Sequence, residues 1–178
     1  MRQVEKFSSI LARAEERKGG AAALRALMSK PLPSSELAQL PESVLLAELT
    51  KKIFQSGFVW RVVRQKWPGF CEVFFDFDPE KILLLSDEML EKKAQDPRII
   101  RNLNKVFTIR DNALMLYQIR REHGGNAARF IAEWPSQDII GLWAYLKQHG
   151  ARLGGNTGPY ALRALGKDTF LLTQDIEA

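Results

Sequence analysis

The chain has few of the residues that brace a fold covalently or through metals. In 178 residues there is one cysteine, Cys71, and there are two histidines, His123 and His149. A single thiol excludes an intramolecular disulfide, and so small a set cannot form the Cys/His cluster of a structural zinc site. Long apolar runs are also missing, since nothing approaches the roughly 18 uncharged apolar residues of a membrane span. The opening Met1-Arg2-Gln3-Val4-Glu5-Lys6 leads into an amphipathic helix and lacks the pattern of a signal peptide. A soluble, cytoplasmic protein is expected. There are no internal repeats and no low-complexity tracts. Phe74-Phe75-Asp76-Phe77 could be taken for a short strand, but no second alternating run exists to pair with it. The expected fold class is therefore all-α.

What is present suffices for one domain and a small appendage: 46% of the residues are hydrophobic and 26% charged, with a net charge of +5. The charge is uneven. Residues 1–50 carry seven Lys/Arg against six Asp/Glu, residues 51–121 fourteen against nine, and residues 122–178 five against six. Within the middle third, Arg98, Arg101, Lys105, Arg110, Arg120 and Arg121 face only Asp111. This is either a phosphate-facing stripe or a solvated helix face.

Helical spacing recurs along the chain. Segments 5–18 and 20–29, broken by Gly19-Gly20, form an N-terminal helical arm (1–33). The prolines of Lys30-Pro31-Leu32-Pro33-Ser34-Ser35 mark a linker whose serines can cap the next helix, and the main domain is placed at 34–178. A helix over about 43–55 should bury Val44, Leu45, Leu49 and Ile53 and end at Gly57. A second over 59–66 should stop before Pro68-Gly69. Others are expected at 79–84 and 86–95. The longest, about 103–122, carries an apolar stripe at 103, 106, 107, 113, 114 and 117 with basic residues opposite.

Near the C-terminus a helix over 139–150 runs into Leu153-Gly154-Gly155-Asn156-Thr157-Gly158-Pro159, where four of the twelve glycines lie between 150 and 158. Thr157 or Gly158 can cap a following helix, with Pro159 in its first turn. Exposed N–H groups at that helix start would bind one phosphate; the bland alternative is an ordinary αα turn.

This hairpin, continuing through Tyr160-Ala161, resembles the helix-hairpin-helix of the DNA glycosylase superfamily. Phe54-Gln55-Ser56-Gly57-Phe58-Val59-Trp60 resembles a second motif, from the 3-methyladenine DNA glycosylase I family. The likeness extends through Phe74 to Pro79, Asp96-Pro97-Arg98-Ile99-Ile100-Arg101-Asn102 with Lys105, and Asp111-Asn112-Ala113, and covers roughly 43–166. It implies a helix-hairpin-helix glycosylase bundle that acts as a monomer on double-stranded DNA in base excision repair. The enzyme would flip out an alkylated, 3-methyladenine-like purine and hydrolyse its N-glycosidic bond. Gly154, Gly155, Asn156, Thr157 and Gly158 would hold the phosphate, with a monovalent cation on the hairpin carbonyls, and Arg98, Arg101 and Lys105 would add backbone contacts or serve internal packing. Trp60 matches the pocket tryptophan that stacks on the extruded base, with a core tryptophan as the alternative. Phe58 and Tyr160 are candidate pocket walls, whereas Trp67, Trp134 and Trp143 are expected to be packing residues.

Two departures stand beside these matches. The family's pocket glutamate, eight residues before the tryptophan, falls on Lys52, which would repel a cationic base. Lys52 is a pocket residue, a Schiff-base nucleophile or the partner of Glu48 one turn earlier; in the last case Glu48 would partly replace the missing acid. The family's zinc ligands are absent. Asp175, in Phe170-Leu171-Leu172-Thr173-Gln174-Asp175, matches a superfamily aspartate that orients water at the sugar, or else caps a near-terminal helix. Pro159 occupies the superfamily's hairpin lysine position, and the C-terminus reads as truncated just after Asp175. A second class of function is a catalytically silent relative that binds damaged or structured DNA.

Overall fold

A computed structural model describes residues 5–173 of the chain. Their contacts divide into two units, 1–31 and 32–178. In the first, α1 (Phe7–Lys18) and α2 (Ala21–Leu27) pack on one another around Gly19-Gly20. The Gly20 N–H donates to the Glu15 carbonyl at 2.7 Å. No residue of either helix is buried, and Phe7 is 74% exposed. The amphipathic pattern of the arm thus finds no hydrophobic core within the described residues.

The second unit is a helical bundle with no strand among the described residues: α3 (Ser34–Leu37), α4 (Glu42–Gln55), α5 (Trp60–Val73), α6 (Pro79–Leu83), α7 (Asp87–Ala94), α8 (Leu103–His123), α9 (Ala127–Glu133), α10 (Ile139–His149) and α11 (Thr157–Leu165). No described helix is long and apolar enough to cross a membrane. The all-α expectation holds. α8 lies at the centre, packed against α4, α6, α7 and α9, and α11 packs on α4. That centrality changes how α8 reads. Its buried face carries Val106, Thr108, Ile109, Asn112, Ala113, Met115, Leu116 and Ile119, about half the circumference at roughly 100° per residue, and is turned away from the expected stripe. Two residues of the expected stripe, Leu103 and Leu114, are 41% and 45% exposed. Val44 on α4 is likewise exposed, and Leu46 and Phe54 are buried in addition to the expected residues.

The basic residues opposite that stripe are largely satisfied within the fold. Arg110 donates to the Leu85 carbonyl at 2.7 Å and pairs with Asp87, and Arg120 lies 3.6 Å from Glu42 and 3.7 Å from Glu80. Neither arginine is a free phosphate ligand.

Two local expectations fail for physical reasons. α5 does not stop before Pro68 but runs through it to Val73. An interior proline costs a helix about 3 kcal/mol, and here packing offsets it. Trp67 stacks between Phe70 and Phe77, with ring centroids 5.4 Å and 5.2 Å away, while Phe70 and Val73 are buried. The segment Phe75–Phe77, which has no partner run to pair with, is as expected not a strand; it is a turn with three consecutive left-handed residues, at φ 54°, 51° and 60°. Burial of Phe77 and the Phe74 to Phe77 ring contact hold it there. Ser34 does not cap α3; its hydroxyl donates to the Ala132 carbonyl at 3.1 Å.

Candidate active site

The hairpin is built from α10 and α11 and anchored from below by α8. Asn112, fully buried on α8, donates its amide to the Ala151 carbonyl at 3.1 Å and accepts the Ala151 N–H at 2.9 Å. A single side chain therefore fixes both backbone groups where the chain leaves α10. Leu153 is buried, and its carbonyl accepts the Gly158 N–H at 3.2 Å. At Gly158 a Cβ would lie 2.7 Å from that carbonyl oxygen, so only glycine allows so close an approach. Gly155 sits at φ +59° with open space around it. The N–H groups of Gly155 and Asn156 have no acceptor among the described residues, and they lie just before the start of α11. Donors of this kind at a helix start bind anions.

The hairpin forms one wall of an open cleft of about 350 Å³. Gly154, Gly155, Asn156, Thr157 and Tyr160 line one side; Lys52, Gln55, Ser56, Gly57 and Trp60 line the other. The two sides touch where Trp60 meets Tyr160 edge to face, with centroids 5.7 Å apart at 89°. Trp60 is 42% exposed, so it is a cleft residue and not a core tryptophan. Phe58 is exposed but does not line the cleft.

Lys52 lies inside the cleft with its Nζ 5.6 Å from the Trp60 ring centroid and 3.4 Å from Gln55 Oε1. The expected Glu48–Lys52 pair does not form. Glu48 is instead bound to Lys51 at 2.5 Å, and Lys51 Nζ in turn sits 4.5 Å from the Trp67 centroid. Glu48 is therefore absent from the cleft and does not replace an acid there. Burial pushes the Lys52 amine below the ordinary lysine range; Glu48 opposes that shift, while Lys51 and Arg64 add to it. Among the described residues no carboxylate lines the cleft.

The remaining candidates lie elsewhere. Arg98 is exposed and its guanidinium bridges Asp96 at 2.7 Å and Glu72 at 3.0 Å, holding the Asp96 carboxyl down at about 2. Arg101 is exposed and does not line the cleft. Lys105 is buried, and its Nζ donates to the Ser56 carbonyl at 2.8 Å and to the Phe54 carbonyl at 3.4 Å. Of the two roles expected for it, the internal one is realised. It secures the carbonyls on either side of Gln55 where α4 ends and the cleft begins. Asp175 lies outside the described residues. Asn156 donates to the Leu172 carbonyl at 2.7 Å, which brings the chain beyond α11 back to the hairpin.

Gln55, Ser56, Asn112 and Lys105 complete the site. The first two stand within the motif ending at Trp60, and their spacing gives no sign that they line the cleft. Asn112 stands in Asp111-Asn112-Ala113, where no local signal assigns it a role, since its contact spans 39 residues.

A sequence model of the methyladenine glycosylase family matches residues 38–160. DNA-3-methyladenine glycosylase 1 of Escherichia coli (strain K12) is 33% identical over 67 residues, a stretch covering 38% of this chain and 36% of that protein. The fold is shared with solved structures. One, a 3-methyladenine DNA glycosylase I, superposes with a TM-score of 0.60 at 23% identity, over 78% of this chain and 82% of the other. The 3-methyladenine DNA glycosylase I of Staphylococcus aureus, solved to explain its recognition of 3-methyladenine, gives 0.63 at 19% identity over 89% and 92%. The matched residues include Trp60, Lys52, Lys105, Asn112 and the hairpin through Tyr160, and on that basis the chain belongs to the methyladenine glycosylase family.

Proposed function

We propose that the protein is a DNA glycosylase of base excision repair, acting as a monomer on double-stranded DNA in the cytoplasm. One observation carries this reading: Trp60, Tyr160 and the hairpin Gly154–Thr157 converge on a single cleft. A nucleotide extruded from the duplex needs an aromatic platform for its base and donors for its backbone phosphate within one nucleotide's reach. The Trp60 ring supplies the first, and the N–H groups of Gly155 and Asn156 supply the second.

The reaction is hydrolysis of the N-glycosidic bond. The C1′–N bond breaks with its electrons passing to the alkylated purine, and water adds to the oxocarbenium-like sugar and gives up a proton to solvent. Asp175 is assigned the orientation of that water, and Lys52 and Gln55 the contact with the base edge. The hairpin offers neutral carbonyl oxygens, a donor set suited to a monovalent cation, and it is there that such an ion would bind; no described group of three or more His, Cys, Asp or Glu is arranged to hold a metal.

The assay is chromatography of bases released from N-methylated genomic DNA. Release above the buffer control supports the glycosylase. Duplex binding without release supports the second reading, a silent DNA-binding relative, which the lysine in place of a pocket acid favours.

A further inference from the structure

Lys52 has a surrounding that the hydrolytic reaction does not require. Among the described residues it is the one lysine lining the cleft, and the acid nearest in sequence is committed to Lys51 at 2.5 Å. Its hydrogen bond is a long one, 3.4 Å, to the neutral Gln55 amide oxygen. The amine thus stands beside the Trp60 ring, in the space a base would occupy, with no carboxylate among the lining residues to hold its proton. When the base is missing, that space is vacant and the nearest electrophile is the sugar itself.

We propose that Lys52 is a nucleophile for abasic sites, forming a Schiff base with the ring-opened deoxyribose held at the hairpin. This rests on the reading of the cleft as a site for an extruded nucleotide, but it does not require that the protein release any base. The Nζ lone pair adds to the C1′ aldehyde, and the carbinolamine takes a proton from solvent water at its hydroxyl and loses water to give a protonated C1′=Nζ imine. A C2′ proton then passes to water and the C3′–O bond breaks, its electron pair leaving with the phosphate. Hydrolysis of the imine regenerates the amine. No oxidant or reductant enters. Burial and the nearby charges of Lys51 and Arg64 favour the neutral amine that this step needs, with Glu48 opposing.

The test is borohydride trapping on a duplex carrying one preformed abasic site, followed by denaturing electrophoresis and mass mapping of the reduced adduct. The expected result is a covalent complex mapped to Lys52, lost to the no-protein level in Lys52→Arg, which keeps a cation but cannot form the imine. Circular dichroism confirms that the variant is folded, and mapping in the unaltered protein gives the answer even if it is not. No adduct, or an adduct mapped to Lys51, Lys147 or the N-terminus, overturns the proposal. Base release without trapping sinks this inference alone; trapping without base release supports it and sinks the glycosylase reading.

Discussion

Lys52 and Trp60 face one another from the end of α4 and the start of α5, the lysine Nζ 5.6 Å from the indole centroid. A purine stacked on Trp60 therefore lies against an amine where a carboxylate would have served a cationic base. Whenever that amine is protonated, two full charges about 5 Å apart repel by roughly 3 kcal/mol at an effective dielectric of about 20, and an open cleft screens that further. Replacement of Lys52 by Glu turns the repulsion into attraction. Release of a cationic methylated purine by Lys52→Glu should rise by about tenfold over the unaltered protein, measured as kcat/KM on methylated duplex. An equal or lower value would show that Lys52 is not beside the base.

The same residue sets a pH dependence. Unfolded, Lys52 keeps its proton up to its ordinary pKa of about 10.4; folded, burial makes it give up the proton sooner, against the pull of Glu48 and with the help of Lys51 and Arg64. Between the folded and unfolded values the unfolded chain binds more protons, so this group's contribution to stability rises with pH across that window. Melting temperatures of Lys52→Met and the unaltered protein should differ most near neutral pH, with the variant higher, and converge toward pH 10. A constant difference would contradict this.

Hairpin geometry depends on contacts too tight to absorb a methyl group. In Gly158→Ala the new Cβ would lie 2.7 Å from the Leu153 carbonyl oxygen, so the backbone must shift. The expected cost is about 1–3 kcal/mol, read by urea denaturation, with weakened duplex binding. Asn112→Ala strips both backbone groups of Ala151 of their partner and should cost about as much. Stability unchanged in both would mean the hairpin is not held as described.

Lys105 gives a sharper separation of roles. Removing a lysine that touches a phosphate reduces the salt slope of duplex binding by about 1. Because Lys105 is spent on the Phe54 and Ser56 carbonyls, Lys105→Met should leave that slope unchanged while costing about 1–3 kcal/mol of stability. A reduced slope at full stability would restore Lys105 to the DNA interface.

The sequence is legible where local rules decide. The Gly-rich hairpin, the helix starts at Pro79 and Asp87 and the linker at Pro31 and Pro33 follow from capping and proline chemistry, and α-helical spacing locates α4 and α8 to within a residue or two. It fails where tertiary packing overrides those rules. Nothing local tells that stacked Trp67, Phe70 and Phe77 carry α5 through Pro68, or that Phe75–Phe77 turns left-handed. Apolar spacing alone does not fix which face of α8 meets its four neighbours, and Leu103 and Leu114 lie on the half that holds no buried residue. The choice of Glu48 for Lys51 over Lys52 turns on a three-residue rather than a four-residue spacing, and both are open to a helix.

Whether the cleft between Trp60 and the hairpin receives an extruded damaged base is decided by single-turnover excision. The substrate is a duplex carrying one N-methylated purine, with the unaltered protein and Trp60→Ala compared. Stacking on one aromatic ring is worth about 1–3 kcal/mol per base. First-order release by the unaltered protein is expected, with a rate reduced by roughly 5- to 150-fold in Trp60→Ala and melting nearly unchanged because Trp60 is 42% exposed. Equal rates in the two proteins, or no release by either, would contradict this.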